Sequence, residues 1–399
     1  MKEMASLEEA HALIDELREG YYFRREIESV ETDDALGREL AEPIISEKRS
    51  PERDIATMDG YAINCHDEYP LKIVGDIHAG EKGISRLKRG SAVWIATGAS
   101  LPDGANAVLR VEDAKVKDGM LYGPKIEEGN YIIRAGTDYE KGEEILDART
   151  RIAPHTIAVL HSLGISKVKV FKKARVGVYS TGDEIFKGMI QDTNGPMLMA
   201  FLKEWGSEGR YLGAIPDDLE ATKEMILDAT KYDAVVTSGG VSVGRRDYVI
   251  KAIEELGEVL LHGVMTRPGK PMVIGVLRDT PVFGLPGKPT GSFMAAELNL
   301  RRYFLGYRPR AKRLCECVED VNLPKEKETL GSKYITFAHI RDGKAYPLGY
   351  KGSSMEIFSP KSRYGVSILA SSQRAIVADG YIMTDKGIKR GDIVEVNLF

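Results

Sequence analysis

The chain has 399 residues and a net charge of −4, with 43% hydrophobic and 29% charged positions. That composition fits a globular protein of roughly two to four domains. It excludes a strongly basic surface built to coat nucleic acid, and no apolar run reaches the roughly 18 residues a membrane helix needs.

Three cysteines, Cys65, Cys315 and Cys317, are too few for a disulfide framework or a four-ligand zinc site. With no apolar signal core at the N-terminus, the expectation is a cytoplasmic protein with reduced thiols.

Ser6 and Glu9 form a capping box, and Leu7, Ala10, Leu13, Ile14 and Leu17 fall on one face, so the chain opens on an amphipathic helix. From about residue 46 to 144 short β-rich runs (YAINC, LKIVG, SAVWIATG, NAVLRVED) alternate with Gly, Pro and Asp. This predicts a small β-rich domain inserted into the helical N-terminal one, whose halves are 1–45 and 145–170.

From 171 to 311 the apolar runs ARVGVYS, GRYLGAI, DAVVTS, MVIGVL and PVFGLP alternate with helical patterns. Strand–helix alternation predicts an α/β domain with a mostly parallel sheet covered on both faces. Arg301, Arg302, Arg308, Arg310, Lys312 and Arg313 read as a solvated helix end and linker. Residues 312–399 return to short strands, a C-terminal β domain. The whole is thus multidomain, α/β plus β.

Chemistry collects at the strand ends, where open α/β sheets place their ligand crevice. Ser180-Thr181-Gly182-Asp183-Glu184, Pro216-Asp217-Asp218, Ser238-Gly239-Gly240-Val241-Ser242 and Pro286-Gly287-Lys288-Pro289 each follow a strand. Their glycines and hydroxyls leave amides free for a phosphate or another oxyanion. Glu184, Asp217, Asp218 and Asp247 are oxygen donors of the kind Mg²⁺ shares with substrate phosphates. Arg267 and Lys270, in TRPGKP, add fixed positive charge.

Gly240-Val241-Ser242-Val243-Gly244 also matches the G-x-S-x-G nucleophile elbow of hydrolases. That elbow needs an acid and then a histidine downstream. His262 follows too soon after Ser242 to leave room for the acid. The segment reads as an anion cradle.

The set TMDGYA, STGDE, SGGVSVGRRDY, RPGKP and GLPGKP, in this order, resembles the molybdopterin molybdenumtransferases. These include the molybdenum insertases of cofactor biosynthesis and the E domain of gephyrin. The resemblance runs from about Ser6 to the last strand. It implies an elongated homodimer of four domains that hydrolyses adenylylated molybdopterin with Mg²⁺, inserts molybdate into the dithiolene and releases AMP. A molybdopterin adenylyltransferase and cofactor-accepting enzymes are then the expected partners.

Carried over residue by residue, the resemblance marks Asp59, Asp138, Glu184, Asp218, Asp247 and Lys270 as catalytic, with Asp218 and Asp247 on the metal. Asp218 is preferred to its neighbour Asp217 in IPDD. Thr97, Arg134, Ser180, Thr181, Gly182, Asp217, Ser238, Gly239, Gly240, Ser242, Arg267, Pro286, Gly287, Pro289 and Ser292 bind substrate. Asp59 and Thr97 lie far along the chain from the other loops, so the expectation is that a second subunit completes the cleft.

The chain departs from the family pattern at Arg267, where lysine is common, at Lys288, where asparagine is, and at Gly291, with Ser292 adjacent. Of the family's C-terminal oxyanion ligands, Lys333 is the candidate for the arginine, and Ser353 or Ser367 for the serine. Tungstate fits the same pattern as molybdate. Adenylylation of molybdopterin, or a gephyrin-like scaffold, are the competing functions.

Overall fold

A computed structural model describes residues 2–22, 25–81, 84–241, 248–321, 331–348 and 373–399. Two compact units emerge, 1–26 with 172–399 and 27–171.

In the larger unit a seven-stranded sheet runs in the order Lys2–Ala5, Glu258–Val264, Val273–Leu277, Thr280–Leu285, Ala234–Ser238, Arg175–Thr181, Glu208–Ile215. The last four pair in parallel, and Val273–Leu277 is antiparallel to both its neighbours. Side chains alternate across the pleat. Val176, Val178, Val236 and Phe283 therefore face one core with helices Leu7–Tyr22 and Asn194–Glu204. Tyr179, Val235 and Val282 face the other, under helices Leu219–Asp228 and Tyr248–Leu256.

The opening helix is capped as its sequence predicts: the Ser6 amide donates to the Glu9 carboxylate at 2.8 Å, and the Glu9 amide to Ser6 Oγ at 3.1 Å. Its address differs from the expectation. Residues 1–26 join the α/β unit rather than the small N-terminal domain, because Lys2–Ala5 adds a parallel strand beside Leu261–Val264.

The basic run also differs. Arg310 grips the buried Glu297 through two bonds of 2.7 and 2.8 Å, and Arg302 pairs with Asp15. These arginines, half-buried, lock helices and linker together, while Lys312 and Arg313 face solvent as expected.

The C-terminal domain closes on itself. Lys333–Arg341, Lys344–Pro347, Lys312–Cys317, Ile393–Leu398 and Gly380–Thr384 form a ring, since the first also pairs with the last. Cys315 and Cys317 sit buried and free inside it.

In the smaller unit, a six-stranded sheet built from strands between Gly60 and Tyr122 carries a separate core on each face. Residues 27–45 and 144–171 form a third core around Leu40, Ile152, Leu160 and Val170. All these cores lie within the single compact unit 27–171. Among the described residues no helix is long and apolar enough to cross a membrane.

Candidate active site

The parallel strands end level with one another. Ser180 pairs with Ser238, Ser238 with Leu285, and Thr181 with Ile215. The chain order reverses between Arg175–Thr181 and Ala234–Ser238, the switch point at which such sheets open a crevice. A cavity of about 1200 Å³ lies there.

Thirteen of the residues marked from sequence line it: Ser180, Thr181, Gly182, Glu184, Asp217, Ser238, Gly239, Gly240, Arg267, Lys270, Pro286, Gly287 and Pro289. Lys288 adds a third cation. Ser292 is fully buried, and its Oγ has no hydrogen-bond partner among the described residues. Ser242 and Asp247, with Ser353 and Ser367, lie outside the described residues.

The adjacent aspartates divide. Asp217 lines the cavity. Asp218 caps the helix Leu219–Asp228, its Oδ1 accepting the Ala221 amide at 2.8 Å. Asp218, the member preferred from sequence, is not among the cavity-lining residues, whereas Asp217 is.

Two contributors escaped the sequence reading. Asp192 accepts bonds from Ser180 Oγ (2.5 Å), the Tyr211 hydroxyl (2.9 Å) and the Asn194 and Gly195 amides (both 3.0 Å). Partial burial holds the Tyr211 phenol above its ordinary pKa, so it remains a donor at neutral pH. Asn194 donates from Nδ2 to Ser238 Oγ and to the Gly287 carbonyl, each at 2.8 Å. This pair stitches together the loops after three strands, holding the cradle in shape before any ligand arrives. An Asp-x-Asn opening a helix reads as ordinary capping, and only the long-range partners of Asn194 reveal more.

Gly239 sits at φ +98°, where an added Cβ would fall 2.4 Å from Thr181 Oγ1. Gly239→Ala is expected to destabilise the protein by about 1–3 kcal/mol and to weaken substrate binding. Calorimetry with a binding titration checks both, and an unchanged melting temperature would contradict the strain.

In the smaller unit the Thr97 amide and hydroxyl both donate to Asp59 Oδ1, at 2.7 and 2.9 Å. These bonds hold the Asp59 carboxyl below its ordinary pKa. Arg134 pairs with Asp54 at 2.7 Å, and the Asp138 amide donates to the Ser50 carbonyl. Lys333 is engaged by Asp385 at 3.0 Å and is not among the cavity-lining residues.

Level strand ends, small hydroxyl loops, three cations and three carboxylates make a wall that suits a large phosphorylated anion. Comparison with known proteins identifies the kind of protein that carries it. Residues 5–164 match the model of the MoeA N-terminal region, domains I and II, and residues 177–305 that of a probable molybdopterin binding domain. A putative molybdopterin biosynthesis protein of Methanocaldococcus jannaschii is 30% identical over 100% of this chain and 99% of its own. The molybdopterin molybdenumtransferase of Bacillus subtilis is 30% identical over 94% and 90%. A molybdopterin biosynthesis MoeA protein of known structure from Pyrococcus horikoshii superposes with a TM-score of 0.75 at 33% identity, covering 99% of both chains. The chain belongs to the molybdopterin molybdenumtransferase family, and it is an enzyme of molybdenum cofactor biosynthesis.

Proposed function

We propose that the cavity takes adenylylated molybdopterin, and that cleavage of its pyrophosphate, with release of AMP, accompanies insertion of molybdate into the dithiolene. The observation that carries this reading is the make-up of the cavity wall. The loops Ser180–Gly182, Ser238–Gly240 and Pro286–Gly287 line it together with the cations Arg267, Lys270 and Lys288 and the carboxylates Glu184, Asp192 and Asp217.

A phosphate meets these loops at little reorganisation cost, because Asp192 and Asn194 already fix them. Molybdate, a dianion and the second substrate, is repelled by carboxylates and held by Arg267 and Lys270.

Mg²⁺ fits this wall, since it asks for one or two carboxylates beside phosphate oxygens, and Glu184 and Asp217 supply that number. Bound there it would neutralise charge developing on the departing phosphate. Asp247 is retained from sequence as a further donor. Asp59 and Thr97 are assigned to the same reaction from the second subunit of a homodimer.

The test is incubation of the protein with adenylylated molybdopterin, Mg²⁺ and either molybdate or tungstate, with AMP release and metal incorporation measured separately. Release that depends on the oxyanion is expected. Binding without such release would refute the assignment.

A further inference from the structure

The cation that opens the Arg267–Pro271 loop is held by the closed barrel. The two-residue strand Thr266–Arg267 pairs in parallel with Lys333–Arg341, with Thr266 opposite Lys333 and Arg267 opposite Tyr334. Tyr334 is 2% exposed. Arg267 Cζ lies over its ring, 5.8 Å from the centroid, within the range of a cation–π contact. Arg267 Nε and the Tyr334 hydroxyl are both buried and, among the described residues, have no hydrogen-bond partner. What joins the two side chains is therefore ring against guanidinium, not a hydrogen bond to the phenol.

The contact suits the residue present. A planar guanidinium stacks on an aromatic face and keeps one orientation there, whereas a lysine ammonium is a rotating point charge. At Arg267 this chain carries the side chain that its ring can orient.

We propose that Tyr334 is a positioning residue for the oxyanion half of the reaction. It fixes the plane in which Arg267 presents its guanidinium to the cavity, and so sets the affinity for molybdate without touching substrate. The inference rests on the reading of Arg267 as an oxyanion-facing cation.

AMP release by the full-length protein, titrated with molybdate at saturating adenylylated molybdopterin, tests it. Tyr334→Leu removes the ring and is expected to raise the KM for molybdate by roughly three- to tenfold. kcat at saturating molybdate and the KM for the pterin substrate should stay at their wild-type values. Tyr334→Phe, which deletes only the unpartnered hydroxyl, should behave as wild type. Arg267→Lys should reproduce the rise, and adding Tyr334→Leu to it should raise KM no further.

If Tyr334→Leu does not fold, Arg267→Lys and Tyr334→Phe still decide: wild-type molybdate affinity in the first, or a raised KM in the second, overturns the proposal. A molybdate KM unchanged by Tyr334→Leu but raised by Arg267→Ala also overturns it and leaves the reading of Arg267 standing. If Arg267→Ala changes nothing, that reading fails and the proposal falls with it.

Discussion

Asp217→Asn is expected to slow AMP release roughly a hundredfold, a loss on the scale of removing one preorganised electrostatic group. Asp218→Ala, one residue away, should leave the rate near wild type and cost about 1 kcal/mol of stability. The contrast follows from what each residue adjoins. Asp217 lines the cavity, while Asp218 accepts the Ala221 amide and its carbonyl accepts the Thr222 hydroxyl. Release assays across a magnesium titration, paired with denaturant unfolding, separate the effects. Were Asp218→Ala the variant that lost activity, with Asp217→Asn unimpaired, the assignment of the metal-facing carboxylate would be reversed.

The second large effect is a recovery. In the proposed homodimer, the Asp59→Asn and Asp217→Asn variants should each be nearly inactive. Mixed and allowed to exchange subunits, they should regain about a quarter of wild-type activity. Half of the dimers would then be mixed. If each site draws Asp217 from one subunit and Asp59 from the other, one site per mixed dimer is intact. If both aspartates of a site came from the same subunit, every site in every dimer would carry one lesion and no activity would return. The assay thus reads the composition of the site without any structure of the dimer. Thr97 supports the choice of Asp59, because its two bonds to one carboxylate oxygen leave the other available to an incoming group.

Much of the cavity was legible because its chemistry is local. Ser180-Thr181-Gly182 and Ser238-Gly239-Gly240 immediately follow apolar β runs, and the parallel register brings these loops to one edge. Other features were not local. Asp217 and Asp218 are identical neighbours before a helix, and only the formed cap tells them apart. Lys2–Ala5 carries no strand pattern of its own, and its pairing with Leu261–Val264 spans most of the chain. The role of Asn194 depends on Ser238 and Gly287, both distant in sequence. Tyr334 looked like one more aromatic in a strand until its register opposite Arg267 was visible.

The short strand Lys2–Ala5 also bears on self-association. The barrel's ring of strands has no free rim, but the seven-stranded sheet has two, and Lys2–Ala5 is one of them. It is brief, and its Lys2 and Glu3 face solvent, the kind of charged border that discourages another chain from docking edge to edge. Behind it runs Glu258–Val264, longer and mostly buried. Proteolytic trimming of the first five residues would bare that strand's amides and carbonyls along an apolar row. A handful of residues thus covers one edge of the sheet whose other strands carry the cavity loops.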